Sequence, residues 1–289
     1  MSRPQGRAWG RWALRALWLV TACSSTRSPA PEDTTPRLVS LVPAFTETIA
    51  ALDASHTLIG RSDWCNLPPE VAALPTFGTA LTPALEPLAR AAPTAVLVDA
   101  SGASREEDIA RIAHVEALPW LTLDDVLSGT TRLGALVDRT EAAAALRARF
   151  QSLAAPPGQP AKSALLILGE GTDGREIWYV MPSSLHGAAL HSAGATSAIG
   201  DPDGGPPVLS PEALIALNPE RLLVLQPTAP GEDAAVAQQR VLKSWSSWTS
   251  LRAVAQGNVA VIAGPAVLST GPSILETRDA LRDALASMP

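Results

Sequence analysis

A twofold internal repeat constrains the fold of this chain more than any other feature of its sequence. Residues 86–98 contain a glutamate, a proline seven positions later and then an apolar run, and residues 212–225 contain the same order. The openings also match, because Thr82-Pro83 and Ser210-Pro211 both place a capping residue before a proline. Each unit predicts a short helix followed by a buried strand, so two copies predict two lobes of similar build.

Strand and helix signals alternate along the rest of the chain, which favours parallel sheets covered by helices. A chain of 289 residues is long enough for two such lobes. Its 26 prolines leave a gap between Pro119 and Pro156, where apolar residues recur at helical spacing. We therefore predict an α/β fold with these parts: an N-terminal lobe at 37–122, one long linking helix at 123–155 and a C-terminal lobe at 163–289. Two glycines, Gly129 and Gly134, allow the helix to bend.

The charge of the chain argues against binding to nucleic acid. The formal net charge is -6, and residues 1–22 contain four arginines and no acid, so the remainder carries 18 minus 28, or -10. Phosphate backbones are bound by lysine and arginine, which this remainder has in deficit. Hydrophobic residues make up 46% and charged residues 17%, as in a globular protein.

The N-terminus has the features of an export signal. Four arginines precede the short apolar run 16–22, which is too short to span a bilayer. The sequence Val20-Thr-Ala-Cys23 resembles a bacterial lipobox, which predicts cleavage after residue 22 and a lipid on Cys23. Residues 23–36 then form a polar, proline-bearing tether to a membrane. We expect an exported protein in the periplasm or cell envelope. The alternatives are a plain leader with an accidental cysteine and a cytoplasmic protein with a misread start.

The loop within residues 58–78 has the composition of a ligand-binding segment. A short apolar strand ends at Gly60, and a polar loop then presents Trp64 beside Cys65. Pro68 and Pro69 stiffen the end of the loop because proline fixes φ. Such a loop holds a flat side chain in the open at a low cost in entropy. A small buried thiol remains the alternative interpretation of Cys65.

Tryptophan dominates the aromatic residues of this chain, at eight of twelve. Trp64 and the pair Trp178-Tyr179 lie in or beside predicted loops, one group in each half of the sequence. Packing in the core is the usual role of such rings. Flat rings facing each other across a cleft would instead suit a macrocyclic ligand.

Sequence patterns for catalysis, metal binding or a resident cofactor are missing. Residues 169–174 match the spacing GxGxxG, but a strand pattern follows where a dinucleotide site needs a helix. His186 and His191 are five residues apart, which does not align two imidazoles on one helix face, and we expect surface histidines. Neither a nucleophile elbow nor an H-E-x-x-H motif occurs. We therefore predict no catalytic residues, no metal, no cofactor and no enzymatic activity.

Together with residues 37–47, the loop at 58–78 resembles the first lobe of cobalamin-binding proteins that serve ABC importers. These belong to a wider group that binds cobalamin, haem or iron-siderophores. The resemblance spans most of the chain and is sharpest at residues 37–98. It implies two α/β lobes joined by one helix, a small-molecule ligand between the lobes and no nucleic acid partner. We expect a monomer.

The resemblance also implies roles for particular residues. The expected ligand contacts are Pro43, Ala44, Trp64, Cys65, Trp178 and Tyr179. One glutamate per lobe, Glu86 and Glu212, would engage arginines of the ABC transporter permease. Local roles are also available, since Glu86 can pair with Arg90 and Glu212 lies in a first helical turn. Cobalamin is the first expected ligand, with haem or a ferric siderophore second. A periplasmic sensor or enzyme on the same fold is the alternative of another class.

Overall fold

The computed structural model describes residues 35–102, 105–155, 161–169 and 176–288. The predicted signal peptide and nearly all of the predicted tether, including Cys23, lie outside these residues, as do Glu170 to Arg175 of the glycine-rich loop. The described residues form an α/β fold with two separate parallel sheets, which confirms the predicted fold class. In this part of the chain, the structure contains no helix of the length and apolar character needed to cross a membrane.

The two sheets have the same topology. The strands of the first are β1 (Leu38–Ser40), β2 (Leu58–Arg61), β3 (Ala95–Asp99) and β4 (His114–Leu118). Those of the second are β5 (Lys162–Leu168), β7 (Ala195–Ser197), β9 (Leu222–Pro227) and β10 (Val259–Gly264). The first sheet has the spatial order β2-β1-β3-β4, and the second has the equivalent order β7-β5-β9-β10. A two-stranded antiparallel ribbon, β6 (Ile177–Trp178) and β8 (Val208–Leu209), is added to the second lobe.

Helices cover both faces of each sheet. The first five are α1 (Pro43–Ala51), α2 (Leu85–Ala91), α3 (Glu106–Ala110), α4 (Leu123–Leu136) and α5 (Thr140–Gln151). The second five are α6 (Leu185–Ala193), α7 (Pro211–Leu217), α8 (Ala234–Trp245), α9 (Arg252–Ala255) and α10 (Ile274–Ser287). Alternate residues of β3 enter different cores, Leu97 on one face and Val96 on the other, as expected for a strand buried on both sides.

The repeated sequence unit is a repeated structural unit. Residues 86–98 form most of α2 and β3, and residues 212–225 form most of α7 and β9, at equivalent positions in the two sheets. Both helices end at a left-handed residue with φ of 45°, Ala92 in one and Asn218 in the other. Each is followed by the proline of the repeat, which cannot continue a helix.

The prediction of one long linking helix was wrong. The window 123–155 contains two helices, α4 and α5, which pack against each other, and a final 3₁₀ turn at Ser152–Ala154. The chain turns at Asp138, whose φ is 54°, and Arg139 N–H donates to the Gly134 carbonyl at 2.7 Å. A Cβ on Gly134 would lie 2.2 Å from the Cβ of Ala143, so this glycine is where the two helices touch. The periodicity continues through the turn because both helices bury one face against the same core.

One hydrophobic core extends from the first lobe into the second. It combines Phe45 of α1 and Leu133 of α4 with Leu185 of α6 and Ile274 of α10, all of which are buried. The chain passes from the first sheet to the second once, through α4 and α5. A shared core and a single connection limit how freely the lobes move apart.

Candidate functional site between the lobes

The C-terminal edges of the two sheets meet at the boundary between the lobes. The loop at 265–273, which follows β10, bonds to elements that follow β1 and β4 of the first sheet. The Trp120 indole N–H donates to the Thr270 carbonyl at 2.9 Å. The hydroxyls of Ser269 and Ser273 each donate to the Glu47 carboxylate at 2.7 Å. Ligands of α/β sheets bind outside the carboxyl ends of parallel strands, so this boundary is the candidate site.

Trp64 lies at this edge with its side chain 70% exposed. The loop that carries it leaves β2 and is fixed by the chain, since Ser62 N–H donates to the Ser40 carbonyl at 2.9 Å. Asp63 N–H donates to the Gly78 carbonyl at 2.8 Å. A large apolar ring on a well-anchored loop gives a rigid, exposed surface at which a ligand can stack.

Cys65 points into the first lobe instead of toward the boundary. Its side chain is fully buried, its Sγ lies 3.0 Å from the Ser62 hydroxyl, and it donates a long bond to the Ser40 carbonyl at 3.6 Å. The structure therefore does not place Cys65 beside Trp64 on an accessible surface. The thiol packs as a small apolar group with a weak polar contact.

Trp178 is the exposed aromatic residue of the second lobe, at 43% exposure. It lies in β6, where it pairs with Val208 of β8. Tyr179 forms a bridge with Ile167 of β5, which places Trp178 close to the C-terminal end of that strand. Tyr179 itself is only 4% exposed and packs in the core of the second lobe, because adjacent residues of a strand face opposite sides. The expected ligand pair is thus split, with one exposed ring and one buried ring.

Pro43 and Ala44 form the first turn of α1, directly after β1. Pro43 is exposed, whereas Ala44 is 3% exposed and packs in the shared core. A proline suits this position because the first helical residue needs no backbone N–H bond. Pro43 is therefore accessible at the edge of the first sheet, and Ala44 packs in the core beneath it.

Glu86 and Glu212 occupy the first turns of the equivalent helices α2 and α7, and both are exposed. Glu86 forms an ion pair with Arg90, as its i+4 spacing predicts. The pKa of Glu212 is lowered because its carboxylate accepts hydrogen bonds from its own backbone N–H and from the Ser210 hydroxyl. A crossover helix runs antiparallel to the strands that it joins, so both first turns lie toward the C-terminal edges.

Residues 38–266 match the family model described as periplasmic binding protein. The chain belongs to this family. A sequence search of functionally curated proteins gives no match.

Solved structures of periplasmic binding proteins share the fold at low sequence identity. The haem-binding protein HutB of Vibrio cholerae is 21% identical, with a TM-score of 0.70 over 87% of this chain and 99% of that chain. The vitamin B12 binding protein BtuF of Vibrio cholerae is 18% identical, with a TM-score of 0.68 over 87% and 96%. A protein of an Fe3+-hydroxamate transport system from Saccharomonospora viridis is 21% identical, with a TM-score of 0.65 over 87% and 94%. The TM-scores show a common fold with these proteins.

Three further exposed apolar side chains lie at the edges of this periplasmic binding protein's sheets and were missed from the sequence. Leu121 is 55% exposed after β4, Leu268 is 39% exposed in the loop after β10, and Leu81 is 66% exposed before α2. Leucines occur throughout the chain, so sequence alone did not distinguish them. Leu121 follows Trp120 and Leu81 precedes the predicted helix opening at Thr82-Pro83, and these neighbours were the available signal.

All four histidines and the one tyrosine belong to the described residues, and none of them is exposed at this boundary. His56 and His114 lie at the N-terminal ends of β2 and β4, and His191 lies at the end of α6. His186 was expected at the surface but is 9% exposed, with its Nε2 3.1 Å from the Val267 carbonyl, and burial lowers its pKa. In the described part of the chain, no group of three or more His, Cys, Asp or Glu could hold a metal ion.

Proposed function

We propose that this periplasmic binding protein is the exported substrate-binding component of an ABC importer and that its ligand is a corrinoid such as cobalamin. Family membership and the shared fold support the general role. The observation that supports the ligand class is the pair of exposed rings, Trp64 in the loop after β2 and Trp178 in β6 beside the end of β5. A corrin ring is broad, flat and largely apolar, and it would bury both indole faces on binding. The proposal assigns no catalytic step, and the protein would act as a monomer.

The residues at the boundary favour a corrinoid over haem. Haem iron in proteins is held by histidine, tyrosine, methionine or cysteine. The chain has one tyrosine, Tyr179, and it is buried, while the four histidines lie away from the boundary or in the interior. Cys65 is buried. Met181 lies farther from the C-terminal end of β5 than Tyr179 does, because Tyr179 pairs with Ile167 and the Val180 N–H donates to the Leu166 carbonyl. Cobalt in a corrinoid and iron in a siderophore arrive with their ligands already in place, so neither needs such a side chain.

The ligand assignment is tested by titrating the purified protein with cyanocobalamin, haemin and a ferric hydroxamate siderophore in parallel. Quenching of tryptophan fluorescence and calorimetry report binding, and the ligand recovered afterwards is analysed by mass. We expect saturable one-to-one binding of cyanocobalamin, which is recovered unchanged. Tighter binding of haemin or of the siderophore would replace the corrinoid with that ligand. Chemical conversion of a ligand would favour an enzyme on this fold.

Docking to a permease is the proposed role of Glu86 and Glu212. The two carboxylates are exposed, lie at equivalent positions in the two lobes and begin helices that start at the boundary edge. The segment leading into α2 is bonded to Asp63, next to Trp64, and α7 starts three residues after Val208, which pairs with Trp178. A fixed pair of negative charges would set orientation and encounter rate on a permease with matching arginines.

A lipid on Cys23 is the proposed means of anchoring. The support is the lipobox-like sequence after an arginine-rich leader. A tether of about 14 residues would leave the two-lobed body free to reach a permease in the same membrane. The periplasmic binding protein family implies export, which is consistent with such a leader.

A further inference from the structure

Glu47 is a buried carboxylate that joins the two lobes and has no part in the proposed ligand contacts. It lies in α1 and is 7% exposed. Its Oε1 accepts from the Ser269 hydroxyl and its Oε2 accepts from the Ser273 hydroxyl, both at 2.7 Å and both across the boundary. Both carboxylate oxygens of a residue in the first lobe are thus committed to the second lobe.

The surroundings of Glu47 are built to receive a negative charge. Ser273 is the residue before α10, a helix of 14 residues, so the carboxylate faces the positive end of that helix. The ion pairs among the described residues do not include Glu47, so the hydroxyls and the helix end are what compensate its burial. Removing the charge would weaken both cross-lobe bonds, since bonds to an ionised acceptor are the stronger kind.

Backbone geometry shows that the fit around this contact is close. Gly271 lies between the two serines, and its N–H donates to the Ser269 hydroxyl at 2.9 Å. A Cβ on Gly271 would lie 3.0 Å from Glu47 Oε2 and 3.2 Å from the Ala44 Cα. The Trp120 indole N–H also bonds to this loop, at the Thr270 carbonyl. The loop therefore has little freedom to shift while the Glu47 bonds are made.

We propose that Glu47 is a positioning residue that holds the two lobes at a fixed separation. Its bonds to Ser269 and Ser273 keep the loop at 265–273 seated on α1, and this sets the width of the cleft between the sheet edges. If the proposed ligand binding holds, the same contact sets how long the ligand is retained. The positioning role itself does not depend on the identity of the ligand.

The test measures lobe separation without ligand. Spin labels are placed on cysteines introduced at two exposed helix positions, Ala110 of α3 and Gln239 of α8, in a full-length chain with Cys23→Ser. Cys65 is fully buried and would not react. In Glu47→Gln we expect about a tenfold larger fraction of molecules at a displaced distance, because a bond to a charged group changes an equilibrium by about that factor. Glu276→Gln is the matched control, because Glu276 is an exposed acid of α10 that lines one pocket together with Glu47 and Ser273.

A double-mutant cycle separates positioning from general destabilisation. The Ser269→Ala/Ser273→Ala variant removes the same bonds from the other side and should shift the distances equally. Adding Glu47→Gln to it should change little further, because both act on one contact. Identical distances in Glu47→Gln and Glu276→Gln, or full additivity with the serine changes, would overturn the proposal.

With cyanocobalamin, Glu47→Gln should release ligand about tenfold faster than the wild type. If the wild-type protein does not bind cyanocobalamin, the ligand assignment is rejected and the positioning role of Glu47 is unaffected.

Discussion

Replacing Trp64 with alanine separates ligand binding from folding. The ring is 70% exposed, so it contributes little to the interior of the first lobe. If it stacks on a ligand, its loss should weaken binding while the protein remains folded. Trp245 provides the contrast within the same chain, because it is 1% exposed and lies in the core of the second lobe.

The expected magnitudes follow from these exposures. The accessible surface of a tryptophan is on the order of 250 Å². Because Trp64 is 70% exposed, about 75 Å² of this surface is buried. At about 25 cal/mol per Å², this burial contributes at most about 2 kcal/mol to the free energy of folding. Trp245→Ala should lower the free energy of unfolding by about 3–5 kcal/mol, as for other large core residues. A stacked ring contributes about 1–3 kcal/mol to binding, by analogy with base stacking, or about 5- to 150-fold in Kd.

The assay combines denaturant unfolding with calorimetric titration of cyanocobalamin on the same preparation. For Trp64→Ala we expect a loss of less than about 2 kcal/mol in stability and a clear rise in Kd. Trp64→Phe, which keeps a smaller flat ring, should recover part of the affinity. A stacking role for Trp64 is refuted if Trp64→Ala is as unstable as Trp245→Ala, or if it binds the ligand as tightly as the wild type.

Three other perturbations test other parts of the molecule. The double change Glu86→Ala/Glu212→Ala should leave folding and ligand affinity nearly unchanged but reduce uptake. The loss of complex formation with the permease, relative to the wild type, should be largest at low salt, because high salt already screens the wild-type ion pairs; normal uptake would reject docking. Cys23→Ser should move the protein from the membrane fraction to the soluble fraction, and unchanged fractionation would contradict the anchor. Two hydrogen bonds from Arg132 lower the pKa of Glu116 in the folded protein. The stability that these bonds contribute is therefore present above the unfolded pKa, about 4.5, and is lost as pH falls through the lower folded pKa. Glu116→Gln should therefore flatten the acid side of the stability profile measured by thermal melting.

Local sequence signals determined much of the architecture. The repeated unit from glutamate to proline and strand predicted α2 with β3 and α7 with β9, because a helix-ending residue before proline and an apolar run act over a few residues. Alternation of such units predicted parallel sheets in two lobes. The exposed position of Trp64 also followed from its polar, proline-stiffened loop.

Tertiary structure decided which predicted residues reach the boundary. Cys65 and Tyr179 are sequence neighbours of exposed tryptophans, yet both face the interior. Tyr179 does so because successive residues of an extended chain point to opposite sides. Cys65 does so because it follows a turn, in which its N–H donates to the Ser62 carbonyl at 3.2 Å. Two helices that meet at Asp138 replace the predicted long helix. Packing of α4 against α5 at Gly134 buries more apolar surface than a straight helix would. Nothing in the sequence linked Glu47 to Ser269, which is 222 residues away. Contacts of that range depend on how two separately formed lobes are placed, and sequence periodicity carries no information about that placement.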